Sequence, residues 1–211
     1  EEKDMEEVAV LQELCTRSQT EGYPSLIHEL FRFYGCFAHS ILNRNAPMLE
    51  TLQSILDVLE KMSEPHSSSY TFLYSTVYQT FANKSWYENL PPRGTENDRE
   101  IKQKLFDEVV LERLDRALEL KKEINDVQGM AMNYGIRGGI YLFNFQEGQK
   151  ALEAFEADWE IVDDNNLSGD KPGMLNKLSM AHAQIHKSQE MSKEEKDATF
   201  KKAQDLAYEA M

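Results

Sequence analysis

Two histidines, His182 and His186, lie four residues apart in a segment whose apolar residues recur at helical spacing. Side chains four residues apart share one face of a helix, so the two imidazoles could hold one metal ion. The intervening residues are Ala-Gln-Ile, and the glutamate that serves as general base in the HExxH motif of zinc proteases is therefore missing. No third ligand is evident nearby in the sequence. We interpret both histidines as packed or solvated side chains, and we expect neither a bound metal nor catalysis.

A possible calcium loop runs from Asp164 to Gly169 and reads DNNLSG. Oxygen-bearing side chains at alternate positions, followed by a glycine, are typical of the first half of an EF-hand loop. The twelfth position of such a loop supplies a bidentate glutamate, but here it is Leu175, and Pro172 interrupts the segment. A polar turn between two helices explains the same residues. We favour the turn and keep calcium binding as the alternative.

Aromatic residues are concentrated in residues 70–81, and Trp86 and Tyr87 follow shortly afterwards. Such a group could line a pocket for an apolar ligand. Aromatic residues at helical spacing more often belong to a hydrophobic core, because burial of their large surface contributes strongly to stability. We favour the core, with the ligand pocket as the alternative.

The composition limits the class of partner. The chain has 211 residues, of which 41% are hydrophobic, and a formal net charge of −14. A surface this acidic repels phosphate groups, so we expect neither nucleic acid nor an anionic membrane as a partner. No apolar run approaches the ~20 residues that a membrane-spanning helix needs. The GxSxG, P-loop, CxxC and dinucleotide-binding motifs are all missing, so we expect no enzyme activity and no cofactor.

The two cysteines, Cys15 and Cys36, lie within amphipathic helical patterns. Core packing is the favoured role, although the two thiols could meet across neighbouring helices and form a disulfide. So few cysteines favour a reducing compartment, and we expect a cytoplasmic protein. The chain begins at Glu1 rather than Met, which indicates a processed protein or a part of a longer chain.

The apolar spacing predicts nine helices and no strand, separated by proline, glycine and polar breaks. The predicted helices cover about residues 3–20, 24–42, 47–62, 70–81, 98–124, 129–143, 146–164, 174–188 and 193–211. Residues 83–96, with paired prolines, are predicted to form one long irregular loop. The helix predicted at 98–124 has a stripe of buried residues that begins at Ile101.

The helix predicted at 129–143 is unusually rich in glycine, with Gly129, Gly135, Gly138 and Gly139. A glycine within a helix costs about 1 kcal/mol relative to alanine. Such a cost is usually accepted where a second helix must approach closely. We therefore expect close helix packing at these glycines.

Part of the pattern recurs at a spacing of 40 residues, since Ala117 corresponds to Ala157 and Asn125 corresponds to Asn165. A fixed period of about this length, built from helix pairs, is typical of a helical repeat array. Residues 117–157 resemble the tetratricopeptide repeat family, and the clear resemblance extends over residues 110–211. It is carried by the segment ALELKKEIND and by Gly129, Tyr134, Gly138, Tyr141, Ala151 and Phe155.

The resemblance implies an all-α fold, in which about nine helices form a right-handed superhelix of antiparallel pairs. It implies one domain over residues 1–211, with diverged helix pairs in 1–97 and recognisable repeats in 98–211. In this family a small residue on the first helix, here Gly138, lets the second helix pack closely through a residue such as Phe155. The concave groove of such a superhelix binds a peptide or protein partner without catalysis.

Members of the family commonly use asparagine and basic side chains of first helices to hold a peptide backbone or a carboxylate. The resemblance therefore implies Asn133, Arg137 and Lys177 as partner-binding residues. In an acidic protein, an arginine and a lysine in one groove would form a local anion site. The alternative is that both are ordinary surface charges. We expect a protein-interaction or scaffold module, with a peptide-sensing domain that controls an attached effector as the alternative.

Overall fold

In the part of the chain that the computed structural model describes, the regular secondary structure is entirely helical. The described residues are 48–61, 68–92, 94–165, 167, 171–188 and 192–210, together with residues 13, 14, 16, 17, 20, 21 and 30. They form seven helices and no strand: α1 (Met48–Glu60), α2 (Ser68–Glu88), α3 (Asp98–Leu105, continued by Phe106–Leu111 and Glu112–Glu123), α4 (Val127–Ile140, continued by Tyr141–Phe145), α5 (Gly148–Asp164), α6 (Lys171–Ser188) and α7 (Lys193–Glu209). No helix among these residues has the length and apolar character that a membrane crossing requires.

Several predictions fall on other parts of the chain. The first two of the nine predicted helices lie outside the described residues, apart from the seven isolated positions. Cys15 and Cys36 also lie outside them. The same holds for half of the possible calcium loop at 164–169, because Asn166, Ser168 and Gly169 are not among the described residues.

Contacts within the chain separate two compact units, Glu1–Leu120 and Lys121–Met211. In the first unit, α1 packs against α2. The buried residues of their shared core are Leu52, Ile55, Leu56, Leu59, Val77 and Phe81. Tyr70, Tyr74 and Tyr78 are partly buried and pack against this core. Most aromatic residues of α2 thus pack in or on the core, as their helical spacing predicted, whereas Phe72 and Tyr87 are exposed.

Helix α2 is longer than we predicted, and the loop expected at 83–96 is wrong in its first part. Residues 83–88 continue the helix, and the irregular segment begins only at residue 89. Trp86 lies in this last stretch and is fully buried, and its ring meets the ring of Phe106 edge-on at a centroid distance of 6.0 Å. Burial of an indole stabilises the helix more than the neighbouring polar residues disfavour it.

Helix α3 contains a π-helical stretch, Phe106–Leu111. Its backbone hydrogen bonds span five residues instead of four, so it holds about one extra residue. One extra residue rotates the helix faces before and after it by about 100° relative to each other. Ile101, which we expected in the buried stripe, is accordingly exposed, and no residue of Asp98–Leu105 is buried.

In the second unit each helix packs against the next, in the order α4, α5, α6 and α7. The buried residues of this core are Ala131, Leu142, Ala151, Leu152, Phe155, Val162, Met174, Leu175, Leu178, Ala181, Ile185 and Leu206. The hydroxyl of Ser179 on α6 adds a polar link, because it donates to the carbonyl oxygen of Ala203 on α7 at 2.7 Å.

The glycines of α4 divide into different roles. An added Cβ at Gly138 would overlap the ring of Phe155 on α5, so the missing side chain of Gly138 makes room for that ring. Gly135 lies one turn earlier and also faces α5. Close packing is therefore confirmed at these two positions. An added Cβ at Gly129 would instead overlap Asp126, which precedes the helix, and Gly139 faces open space.

Candidate functional site

One side of α4 exposes apolar side chains and glycine backbone. The residues within about 60° of one another around the helix axis are Gln128, Met132, Gly135 and Gly139. Phe143 lies eleven residues after Met132, in the π-helical continuation Tyr141–Phe145. Met132 is 61% exposed and Phe143 is 62% exposed. An added Cβ at Gly139 would meet no atom of the described chain within 4 Å, so the helix is open at this position.

A second stripe lies along α6, where residues recur at spacings of four and three positions. Its members, which span about 80° around the axis, are Gly173, Lys177, Met180, Gln184 and Lys187. Met180 and Lys187 are exposed, and Lys177 is 36% exposed. The stripe therefore combines an apolar side chain with two cations.

The two stripes meet at Gly135. An added Cβ at Gly135 would lie 3.6 Å from the Nζ atom of Lys177 and 3.0 Å from the Oδ2 atom of Asp158 on α5. Because Gly135 has no side chain, the Lys177 ammonium group reaches the backbone of α4. We call the combined face the α4/α6 surface, and its members are Gln128, Met132, Gly135, Gly139 and Phe143 of α4 with Gly173, Lys177, Met180, Gln184 and Lys187 of α6.

Asp158 holds Lys177 in place from below the α4/α6 surface. The Asp158 side chain is only 4% exposed, and its Oδ2 atom lies 3.9 Å from Lys177 Nζ. This distance is that of a charge pair rather than of a hydrogen bond. The ammonium group also lies 3.4 Å from the sulfur of Met174. An ammonium group carries three N–H donors, so Lys177 can also bind oxygen atoms above the surface.

The structure brings together only two of the three residues that we predicted to bind a partner. Arg137 Nε donates to Asn133 Oδ1 at 2.9 Å, and Asn133 is fully buried. Gly135 lies two residues from each of them, so it points about 160° away around α4. Lys177, which contacts the Gly135 side, is therefore on the other side of α4 from Asn133 and Arg137. The role of all three in partner binding stays a prediction.

Helices α4 and α6 differ from the neighbouring helices in their content of acidic residues. None of the 37 acidic residues of the chain lies in residues 127–145 or in α6, and these two segments carry Arg137, Lys171, Lys177 and Lys187. Helix α5 between them has one lysine and six acidic residues, Glu153, Glu156, Asp158, Glu160, Asp163 and Asp164. The α4/α6 surface is thus locally cationic in a strongly acidic protein. Our sequence reasoning missed this signal, together with the exposed Met132, Phe143 and Met180.

The histidine pair is part of the α6–α7 packing. His186 Nδ1 lies 3.1 Å from the carbonyl oxygen of Lys196, and its ring lies 5.5 Å from the ring of Phe200. Burial lowers the pKa of His182, and the charge of Lys202 lowers it further. The described residues contain no group of three or more His, Cys, Asp or Glu side chains that could hold a metal ion.

A cleft of about 450 Å³ in the first unit lies between α1, α2 and the last segment of α3. Its lining residues are Gln53, Leu56, Glu60, Tyr78, Glu112, Arg113, Asp115, Arg116 and Glu119. The Arg113 guanidinium lies 4.4 Å from the ring centroid of Phe81, and Arg116 Nη1 donates to Glu119 Oε2 at 3.0 Å. The guanidinium groups of Arg113 and Arg116 thus already contact neighbouring side chains, so the cleft is a poor candidate for an anion-binding site.

No protein-family model, curated protein or solved structure matches the chain. The functional interpretation therefore depends on the geometry and charge of the described residues.

Proposed function

We propose that the chain is a protein–protein interaction module whose α4/α6 surface binds a peptide or protein segment. The observation that carries this proposal is the exposure of three large apolar side chains, Met132 and Phe143 on α4 and Met180 on α6. Large apolar side chains that share an exposed surface often mark a binding site, because a partner removes them from water. The proposed polar contact is Lys177, which can donate to carbonyl or carboxylate oxygens of the partner.

We further propose that the helix pairs form a right-handed superhelix of the tetratricopeptide type. The packing of each helix against the next, from α4 to α7, supports this arrangement. The close approach of Phe155 to Gly138 supports it as well, because a small residue on the first helix of a pair serves this purpose in that family. Helices α4 and α6 would then be first helices of neighbouring pairs, and the α4/α6 surface would line the concave groove.

We assign the polar contact to Lys177 and not to Asn133 or Arg137. The latter two face the other side of α4, and the Arg137 guanidinium is turned towards Asn133 within the same helix. A partner on the α4/α6 surface would reach Lys177 directly.

Selection from a phage-displayed library of random peptides tests the proposal, with the whole chain immobilised as the target. Selected peptides are synthesised, and their dissociation constants for the chain and its variants are measured by fluorescence anisotropy. The double variant Met132→Ala/Phe143→Ala should bind at least about tenfold more weakly, because a partner loses two large apolar contacts. Both side chains are exposed, so circular dichroism should show unchanged helix content.

The matched control is Tyr208→Ala, which removes an exposed aromatic side chain from α7, a helix that contributes no residue to the α4/α6 surface. It should bind the same peptides within about twofold, as expected for truncation outside an interface. Equal affinity of the peptides for the double variant and the parent chain would refute the proposal. A library that yields no binding peptide would refute it as well.

A further inference from the structure

We infer that the partner of the α4/α6 surface is an acidic segment, in which aspartate or glutamate alternates with large apolar side chains. This inference rests on the proposed function and adds the chemistry of the partner. At the average acidic content of the chain, residues 127–145 and α6 together would carry about six acidic residues, and they carry none. Acidic side chains are thus excluded from the two segments that build the surface.

Two of the four cations in these segments lie on the α4/α6 surface. Lys177 and Lys187 belong to the α6 stripe. Lys171 lies off the stripe, and its ammonium group pairs with Asp163 at 2.6 Å. Arg137 faces the other side of α4. The carboxylate of Asp158 lies beneath Lys177 and is nearly inaccessible to a partner.

The net charge of −14 opposes an acidic partner at long range, but the local charges decide the outcome at contact. At physiological ionic strength the screening length is about 8 Å, so exposed charges farther away act weakly. A carboxylate on the α4/α6 surface would lie within hydrogen-bonding reach of Lys177 or Lys187. A basic side chain there would meet the same two ammonium groups, so a basic partner is disfavoured.

The spacing of the two lysines also sets the spacing of the acidic residues in the partner. Lys177 and Lys187 are ten residues apart, which is about 15 Å along a helix axis. An extended chain covers this distance in four to five residues. Met180 lies between the lysines, and Met132 and Phe143 span a similar length on α4. We therefore expect two acidic residues four or five positions apart, with at least one large apolar residue between them.

Charge reversal tests this inference with the same selected peptides. The double variant Lys177→Glu/Lys187→Glu should weaken binding by about tenfold or more, because two attractive contacts become repulsive. The matched control Lys193→Glu/Lys201→Glu changes the net charge equally at two exposed positions of α7 and should alter binding by less than about twofold. Replacing both acidic residues of a peptide by lysine should restore most of its affinity for the Lys177→Glu/Lys187→Glu variant.

Some outcomes would overturn the inference while leaving the proposed function intact. Peptides that depend on Met132 and Phe143 but carry no acidic residues, or that bind the Lys177→Glu/Lys187→Glu variant unchanged, would show that the partner is not acidic. Selection of basic peptides would show the same. If the Lys177→Glu/Lys187→Glu variant and the α7 control weakened peptide binding equally, only the net charge of the chain would affect binding. Peptides insensitive to Met132→Ala/Phe143→Ala would instead count against the proposed function itself.

Discussion

Removing the carboxylate of Asp126 should strongly destabilise the second unit, because Asp126 performs two roles. Its Oδ2 atom accepts from Lys121 Nζ at 3.0 Å, and its Oδ1 atom accepts from the backbone N–H of Gly129 at 3.0 Å. The second contact caps the start of α4. The Lys121 side chain is only 3% exposed, and Asp126 is 14% exposed. Asp126 is the only carboxylate that pairs with Lys121 in the described part of the chain.

The two roles of Asp126 determine how far the free energy of unfolding should fall. Removing one partner of a buried ion pair leaves an uncompensated charge and costs about 3–5 kcal/mol. Loss of a helix N-cap costs about 1 kcal/mol. We therefore expect Asp126→Ala to lower the free energy of unfolding by about 4–6 kcal/mol. The double variant Lys121→Met/Asp126→Ala carries no buried charge, so it should lose little more than the cap, about 1–2 kcal/mol.

Urea unfolding followed by far-UV circular dichroism measures both values, and the order of the two variants is the decisive result. The double variant should be more stable than Asp126→Ala alone, even though it has lost one more native side chain. Lys121→Met alone should cost less than Asp126→Ala, because the cap of α4 survives. A double variant as unstable as Asp126→Ala, or less stable, would refute the assignment of the loss to a stranded ammonium group.

Two further predictions concern α4 and α6. Gly138→Ala should destabilise the second unit by about 1–3 kcal/mol, because the new methyl group overlaps the Phe155 ring. Gly139→Ala places its methyl group in open space, so it should stabilise the unit by up to about 1 kcal/mol. Equal urea midpoints for the two variants would contradict this prediction. Because the pKa of His182 is lowered, the folded state binds a proton at this side chain less readily than the unfolded chain does. The contribution of His182 to stability is therefore present above pH 6.5 and is lost as the pH falls through the folded-state pKa. A His182→Gln variant should lose stability less steeply than the parent in thermal unfolding over that range, and identical slopes would show that His182 does not contribute.

The helices could be predicted because their apolar residues recur at helical spacing over many turns. The end of α2 was missed since residues 83–85 are polar and resemble a loop, while the burial of Trp86 that stabilises them is a tertiary effect. The exposure of Ile101 was missed for a related reason. A π-helical stretch such as Phe106–Leu111 rotates the helix faces relative to each other and has no distinctive residue type. A prediction that assumes a constant period therefore assigns the wrong buried face to the residues on one side of it.

The predicted binding residues show which part of a site a sequence can specify. Asn133 and Arg137 share a face because they are four residues apart in one helix, and that relation is local. Placing Lys177 with them required the rotation of α6 relative to α4, which depends on how both helices pack against α5. Gly135 sets that relation, since its missing side chain lets Lys177 approach the opposite side of α4.

The distribution of acidic residues is harder to explain by solubility than by recognition. Like charges over the whole surface keep a protein monomeric, and α5 follows this rule with six acidic residues. On α4 and α6, acidic residues are missing at the place where Met132 and Phe143 are exposed, so repulsion is weakest where association would be easiest. A surface under selection only for solubility would show the reverse arrangement. A surface that must accept an acidic, apolar segment needs exposed apolar area and available cations, and the α4/α6 surface has both, with the Asp158 carboxylate buried beneath Lys177.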